Sequence, residues 1–479
     1  MPVPVISRAQ MREWEKLTWA AKRTPFEVIS RVGHLLTGYV RQITRPGDSI
    51  LVLAGKGHNG DDARQIVQSL TDREVTLLNV REPESGLREF ASMLSMPQAL
   101  IVDGLFGIGL KGPLDAGWRK LVQAVNASRV PILSVDLPSG LDADTGEPLG
   151  DAIRATVSVT LGAPKKGLLT APARPYVGRL EVAPDIGLVP CPHTATLLWT
   201  LPEDFQYFPP KRPVDGHKGS FGHLVVVAGS LGFHGAAVLA ARAAQRAQPG
   251  LITLIVPENV YTPVAGQLQS VMVRPWRGPA SVPASLTALL FGPGLADDNL
   301  PADLRPYLVE HWKSSPQPVI ADASGLNWLG GTRGNAKGLR VVTPHPGEAA
   351  RMLDLTAADI QADRTSAVVR LSTRCNQAWV VLKGYQSAIG RSRGQVFINC
   401  SGNPLLAQGG SGDVLAGYLA GLLAQPALQD DPLATLRFAV WQHGHAADLL
   451  ERERGNWIVE ELVQRLGDVR RLPSPSLRS

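Results

Sequence analysis

The stretch "NPLLAQGGSGDVLAGYLAGLLA" (403–424) sets Gly409, Gly410, Ser411 and Gly412 before a lone carboxylate, Asp413, and then runs apolar. Apolarity on nearly every face marks a helix packed inside a domain. Helix capping would explain an Asp near a helix start. It would not explain the neighbouring glycines, which lose more backbone entropy on folding than any other residue. Bare N–H groups closing round a phosphoryl group do explain them. The stretch therefore predicts a buried helix whose mouth is an anion pocket, with the Asp413 carboxylate beside it.

Short apolar runs ending in turn residues precede this helix: "HLVVVAGS" (223–230), "GLITLIVP" (250–257), "LLFGPGL" (289–295), "PVIADASG" (318–325), "LRVVTPHPGE" (339–348), "AWVVLKG" (378–384) and "QVFINCSGNP" (395–404). Strands separated by helical patterns mean βαβ units and a mostly parallel sheet. A second such series fills the first half: "SILVLAG" (49–55), "VTLLNV" (75–80), "ALIVDGLFG" (99–107), "VPILSVDLPSG" (130–140) and "ATVSVTLGA" (155–163). A helix is expected from about Asp62, and Ser7 is placed to cap an earlier one. The proline-rich segment 188–216 reads as a linker. Two α/β domains follow, residues 1–205 and 206–479.

Composition narrows the class. The 479 residues are 44% hydrophobic and 19% charged, ordinary for globular domains with real cores. A net charge of +6 with no basic run gives no nucleic-acid surface. No stretch approaches the ~20 apolar residues of a membrane span. Three cysteines, Cys191, Cys375 and Cys400, form no C-x-x-C pair and suit a reducing compartment. The expectation is a cytoplasmic protein that binds small molecules, assembled as a homo-oligomer.

In open parallel sheets, ligands bind beyond the carboxyl ends of the strands. In the first half those ends carry "GHNGDDA" (57–63), Asp103, "GIGLKGP" (107–113), and Asp136 with Ser139. Glycines admit a ligand to the backbone, and helix N–H groups favour an anion. Oxygens from Asn59, Asp103 and Ser139 could meet round a hard cation.

Taken together, the motifs resemble the bifunctional NAD(P)H-hydrate repair enzymes. "HKGSFG", "GPGL", "DASGLN", "TPHPGE", "LKG" and "NPLLAQGGSGDVLAG" occur in that family's order. The resemblance implies an N-terminal Rossmann-like three-layer sandwich that epimerises hydrated NADH and NADPH. It implies a C-terminal ribokinase-like three-layer sandwich that dehydrates them with ADP or ATP and Mg2+. Nucleotide phosphorylates the hydrate hydroxyl, and phosphate then leaves. On this sequence Asp413 becomes the base, while Lys383, Gly384, Tyr385, Gln386, Ser387 and Gly412 bind nucleotide. The same resemblance places Ala236, Gly294, His345 and Asp413 at the hydrated substrate.

In the first domain, the resemblance gives K+ to Asn59, Asp103 and Ser139. It gives substrate to His58, Asn59, Gly60, Asp61 and Asp62, to Gly107, Ile108, Gly109, Leu110, Lys111, Gly112 and Pro113, and to Asp136, the candidate acid/base. The loop departs from the family pattern G-N-N-G-G-D-G at His58, Asp61 and Ala63. Asp61 adds charge where a glycine would admit substrate, which weighs against epimerase turnover. The competing reading is a ribokinase-like small-molecule kinase fused to a degenerate nucleotide-binding module.

Overall fold

In the first half, the two faces of one strand bury into two different sets of helices. In strand β1 (Ser49–Ala54), Ile50 and Val52 join a core with Met11, Val32, Leu36 and Ile66. Leu51 and Leu53 face the other way, into a core with Phe90, Leu121 and Val125. Alternation with a period of two, both faces apolar, is what a sheet covered on both sides requires. Helices α1 (Arg8–Ala20), α2 (Pro25–Ile43) and α3 (His58–Ser69) supply the first cover. Helices α4 (Pro83–Met93) and α5 (Ala116–Ala127) supply the second. The sheet is completed by β2 (Glu74–Asn79), β3 (Leu100–Gly104), β4 (Ile132–Val135), β5 (Val157–Leu161) and β6 (Arg179–Ala183). Its order is β2-β1-β3-β4-β5-β6, every pair parallel. This is the expected three-layer sandwich.

These assignments come from a computed structural model, which describes residues 1–296, 299–329 and 338–468. The segment 473–479, whose sequence suggests fraying, lies outside them. Ser7 caps α1 as expected, with Gln10 closing a capping box. Helix α3 begins at His58, earlier than expected, so the Gly-rich loop itself forms the first helical turn.

The second half is built round β7 (Leu197–Trp199), β8 (His223–Val227), β9 (Leu251–Val256), β10 (Met272–Pro275), β11 (Ala288–Phe291), β12 (Val319–Ala321), β13 (Arg340–Val342), β14 (Trp379–Leu382), β15 (Ala388–Gly390) and β16 (Val396–Ile398). They run β7-β16-β15-β14-β13-β12-β11-β8-β9-β10. The pairs from β14 to β10 are parallel, and β15 is antiparallel to both neighbours. Leu224 and Val226 pack on α6 (His234–Ala247), α9 (Ser411–Leu423) and α10 (Pro432–Glu453). On the other face, Phe291 meets Trp312 of α7 (Leu304–Ser314) with ring centroids 6.4 Å apart.

The chain divides into compact units Val3–Ala195 and Thr196–Ser479, with Met1–Pro2 in the latter. The division falls ahead of the expected 205/206 boundary because β7, inside the expected linker, pairs with β16 of the second sheet. That segment is short, but its buried Leu198 and Trp199 tie it to the second unit's sheet.

Candidate active sites

Strands β12, β13 and β14 lie side by side and parallel, so their carboxyl ends bring Asp322, Thr343 and Lys383 together. Lys383 Nζ donates to Asp322 Oδ1 at 2.7 Å, and Thr343 Oγ1 donates to the same oxygen at 2.7 Å. Glu348 Oε2 lies 4.0 Å from Lys383 Nζ. Burial works against the ammonium charge, but Asp322, Glu348 and Asp413 together raise the Lys383 pKa.

Helix α9 points its first turn at this cluster. Gly410 is its N-cap, at φ 94°, and a Cβ on Gly412 would sit 3.2 Å from Lys383 Nζ. The N–H groups of Gly412 and Asp413 make no hydrogen bond among the described residues. Asp413 is therefore not the cap. It stands at the third helical position, and its carboxylate accepts no hydrogen bond among the described residues. Burial raises its pKa to about 7, helped by the Asp322 and Glu348 charges and opposed by Lys383. A base poised near neutrality beside free helix N–H donors and a lysine has the equipment for phosphoryl transfer.

His345 caps α8 (Pro346–Leu353): its Nδ1 accepts from Gly347 N at 3.0 Å, while Glu348 Oε2 accepts from His345 N at 2.7 Å. Gly294 and Ala236 are neighbours; a Cβ on Gly294 would lie 2.9 Å from that of Ala236 and 2.5 Å from the Phe233 carbonyl. Its φ of 65° and this close approach both call for glycine. Gly384 to Ser387 follow β14, with Ser387 Oγ donating to Gly384 O at 3.1 Å. Sequence reasoning left Asp322, Glu348 and His443 out of the site. Asp322 opens the quoted motif "DASGLN", and Glu348 closes "TPHPGE". His443 lies on α10, its ring Nε2 3.1 Å from Ser411 O, and burial lowers its pKa to about 4. No motif announced it.

The first unit holds a cavity of about 530 Å³ at the strand ends. Its wall includes His58, Asn59, Asp62, Gly107 to Lys111, and Asp136. Gly60, Asp61, Gly112 and Pro113 stand outside that wall. Gly60 is needed for packing, since a Cβ there would meet Gly55 O at 2.2 Å. Asp61 turns to Arg64, whose Nη1 donates to it at 2.7 Å. The sequence departure at Asp61 thus adds no bulk to the cavity.

Asp136 pairs with the fully buried Lys165, whose Nζ also donates to Leu161 O at 2.9 Å. Asp136 holds φ 65°, a strained conformation of the kind that clusters at functional sites. Asp62 and Glu15 share the cavity wall, and neither accepts a hydrogen bond among the described residues. Burial, then the Asp136 charge, raises the pKa of both, Asp62 well above the carboxylate range. Glu15 was missed because it lies within helix α1; Lys165 stands just past the expected strand 155–163, and no motif marked it.

Asn59, Asp103 and Ser139 do converge. Ser139 Oγ donates to Asp103 Oδ1 at 2.6 Å, and Phe106 O accepts from Asn59 Nδ2 at 2.9 Å and from Ser139 Oγ at 3.2 Å. An amide, a hydroxyl, a carboxylate and a carbonyl make a hard oxygen set, the donor chemistry an alkali cation needs. Among the described residues, no three His, Cys, Asp or Glu side chains converge to hold a metal alone.

The family described as NAD(P)H-hydrate dehydratase matches residues 224–467, and the YjeF-related protein N-terminus matches 79–167. The bifunctional NAD(P)H-hydrate repair enzyme Nnr of Moorella thermoacetica is 36% identical, over 85% of this chain and 84% of its own. The chain belongs to the bifunctional NAD(P)H-hydrate repair enzymes. The repair enzyme of Gloeobacter violaceus is 34% identical over 93% of both chains. An ADP/ATP-dependent NAD(P)H-hydrate dehydratase from Bacillus subtilis, co-crystallised with ATP and Mg2+, is 29% identical with a TM-score of 0.51. It covers 56% of this chain and 95% of that one, and it matches the ribokinase-like expectation for this repair enzyme's second unit.

Proposed function

We propose that the second unit dehydrates hydrated NADH and NADPH with ADP or ATP, and that the first unit interconverts the R and S hydrates. One observation carries the first part: Asp413, near neutral pKa and free of hydrogen bonds, beside the N–H groups of α9 and Lys383. The hydrate hydroxyl attacks the terminal phosphoryl group and Asp413 takes its proton. The bond from phosphorus to the departing nucleotide breaks. Phosphate then leaves with the carbon–oxygen bonding electrons, a neighbouring proton is lost, and the ring double bond returns. Lys383 and the amides of Gly412 and Asp413 face charge developing on the transferred group. Asp322 and Thr343 hold Lys383 in place.

Mg2+ needs only one or two carboxylates when phosphates supply its other ligands. Glu348 is the available protein carboxylate, and the ion would neutralise phosphate charge. Gly384 to Ser387 would line the nucleotide, and Ala236, Gly294 and His345 the hydrated nicotinamide. In the first unit, Asp136 is the base, and the raised pKa values of Asp62 and Glu15 suit proton donors. Asn59, Asp103, Ser139 and the Phe106 carbonyl would hold K+ near the substrate. We place the enzyme in the cytoplasm as a homo-oligomer.

The test is incubation of hydrated NADH with ADP, following the absorbance of NADH. Recovery of the S epimer with ADP, and of the R epimer only when the first unit is intact, is expected. No nucleotide-dependent recovery defeats the reading. A stable phosphorylated product would turn it to the kinase.

A further inference from the structure

A second cavity of about 530 Å³ lies in the second unit, away from Asp413. Helix α9 carries both. Tyr418 and Leu422 line the cavity, and five residues turn Tyr418 about 140° round the helix from Asp413. Phosphoryl transfer at Asp413 does not use this space.

One side of its wall is aromatic. Phe205, Phe438 and Trp441 form a cluster with centroid separations of 5.5 Å (Phe205–Phe438), 5.1 Å (Phe205–Trp441) and 6.1 Å (Phe438–Trp441), and Phe208 joins at 5.1 Å from Phe438. Among these rings sits an unmet polar group. Tyr418 is 4% exposed, and its hydroxyl has no hydrogen-bond partner among the described residues. The hydroxyl keeps accessible surface in the cavity, where a ligand can meet it. Gln442, also 4% exposed, donates through Nε2 to Leu466 O at 3.3 Å and leaves Oε1 without a partner among the described residues.

Charge at the cavity has one sign. Lys211, Arg212 and Arg246 line it, with no Asp or Glu. Arg212 is engaged, lying over the Phe221 ring at 4.2 Å and donating to Gln425 Oε1 at 2.9 Å. Lys211 and Arg246 are exposed and carry no ion pair among the described residues.

We propose that this cavity binds a nucleobase-sized aromatic anion: the ring against the cavity side of the Phe205, Phe438 and Trp441 cluster, its polar atoms on Tyr418 and Gln442, its anionic group on Arg246 and Lys211. The volume falls within the range of small-molecule sites. The proposal is independent of the dehydration chemistry.

AMP is the probe, titrated calorimetrically into the full-length enzyme saturated with ADP and Mg2+, so that the site beside Asp413 is filled. The expected result is one AMP bound per chain. Arg246→Ala should weaken it about tenfold, the loss of one charge-assisted contact. Tyr418→Phe, which removes only the unpaired hydroxyl, should weaken it about threefold to fivefold. Arg242→Ala, on the same helix α6 but bonded to Gln267 O, should leave it unchanged. All three variants should dehydrate normally without AMP. Absence of AMP binding at millimolar concentration overturns the proposal. Binding that survives both Arg246→Ala and Tyr418→Phe overturns it too, since AMP then sits elsewhere.

Discussion

Asp413 is where protonation, charge and function meet. Its pKa of about 7 means that as a base it works only once deprotonated. Dehydration measured as kcat/KM should therefore rise with pH and level off above about 7. Glu348→Gln removes a charge that raises this pKa but keeps an oxygen acceptor for His345 N. The break in the profile should move to lower pH; a break that stays put would remove Glu348 from the electrostatics. Asp413→Asn should lower kcat by about 10²–10⁴-fold, the usual worth of a general base, with ADP affinity nearly unchanged. The same variant carries a stability signature. Folded Asp413 keeps its proton up to about pH 7, whereas the unfolded carboxyl loses it near its ordinary value. The wild type therefore loses stability as pH rises between those limits, by a few kcal/mol. Asn has no charge to bury, so the Tm advantage of Asp413→Asn should be small at pH 4 and grow by pH 8. A constant difference across that range would mean Asp413 is solvated.

At the scale of the element, the first turn of α9 depends on a left-handed start. Gly410 sits at φ 94°, and a Cβ there would lie 2.6 Å from Leu239 Cδ1. Gly410→Ala should cost about 1–2 kcal/mol for the backbone strain alone. It should also tilt the free amides and weaken ADP binding. Gly409→Ala, whose Cβ meets nothing within 4 Å, is the matched control and should stay within about 0.5 kcal/mol of wild type. Equal destabilisation by the two would dismiss the left-handed turn as the cause. This element was legible in the sequence because small residues and one acid break an apolar run. Strand existence was legible for the same reason: β1, β8 and β12 are short apolar runs closed by glycine or acid. The strands β6, β7, β10 and β15 were not seen, β7 because it lies in the proline-rich stretch read as a linker. Met272–Pro275 alternates exposed and half-buried residues, and Ala388–Gly390 is only three residues long. The buried partners Lys165 and His443 were also invisible, because their roles come from packing between segments far apart in sequence. The Asp61 departure was over-read: its pairing with Arg64 lies in three-dimensional detail that a loop motif cannot carry.

At the scale of the whole molecule, each unit has its own core. Leu224, Val226 and α9 belong to one cluster, whereas Ile50, Val52 and α2 belong to another. Two compact units, each with its own sheet, predict two calorimetric transitions. ADP with Mg2+ should raise only the transition of the second unit, by the mass-action term RT ln(1 + [L]/Kd). Asp136→Asn should act on the other. It strands Lys165, whose side chain is 0% exposed, and breaking a buried pair from one side costs about 3–5 kcal/mol. The first-unit transition should fall, and recovery of NADH from the R hydrate should vanish. Recovery from the S hydrate should continue at the wild-type rate. The double variant Asp136→Asn/Lys165→Met separates stability from chemistry. Removing the orphaned charge should restore much of the first-unit Tm, because an apolar replacement of a buried pair is often neutral. It should not restore use of the R hydrate. If it does, Asp136 is a structural partner of Lys165 and the epimerising acid and base must be sought in Asp62 and Glu15.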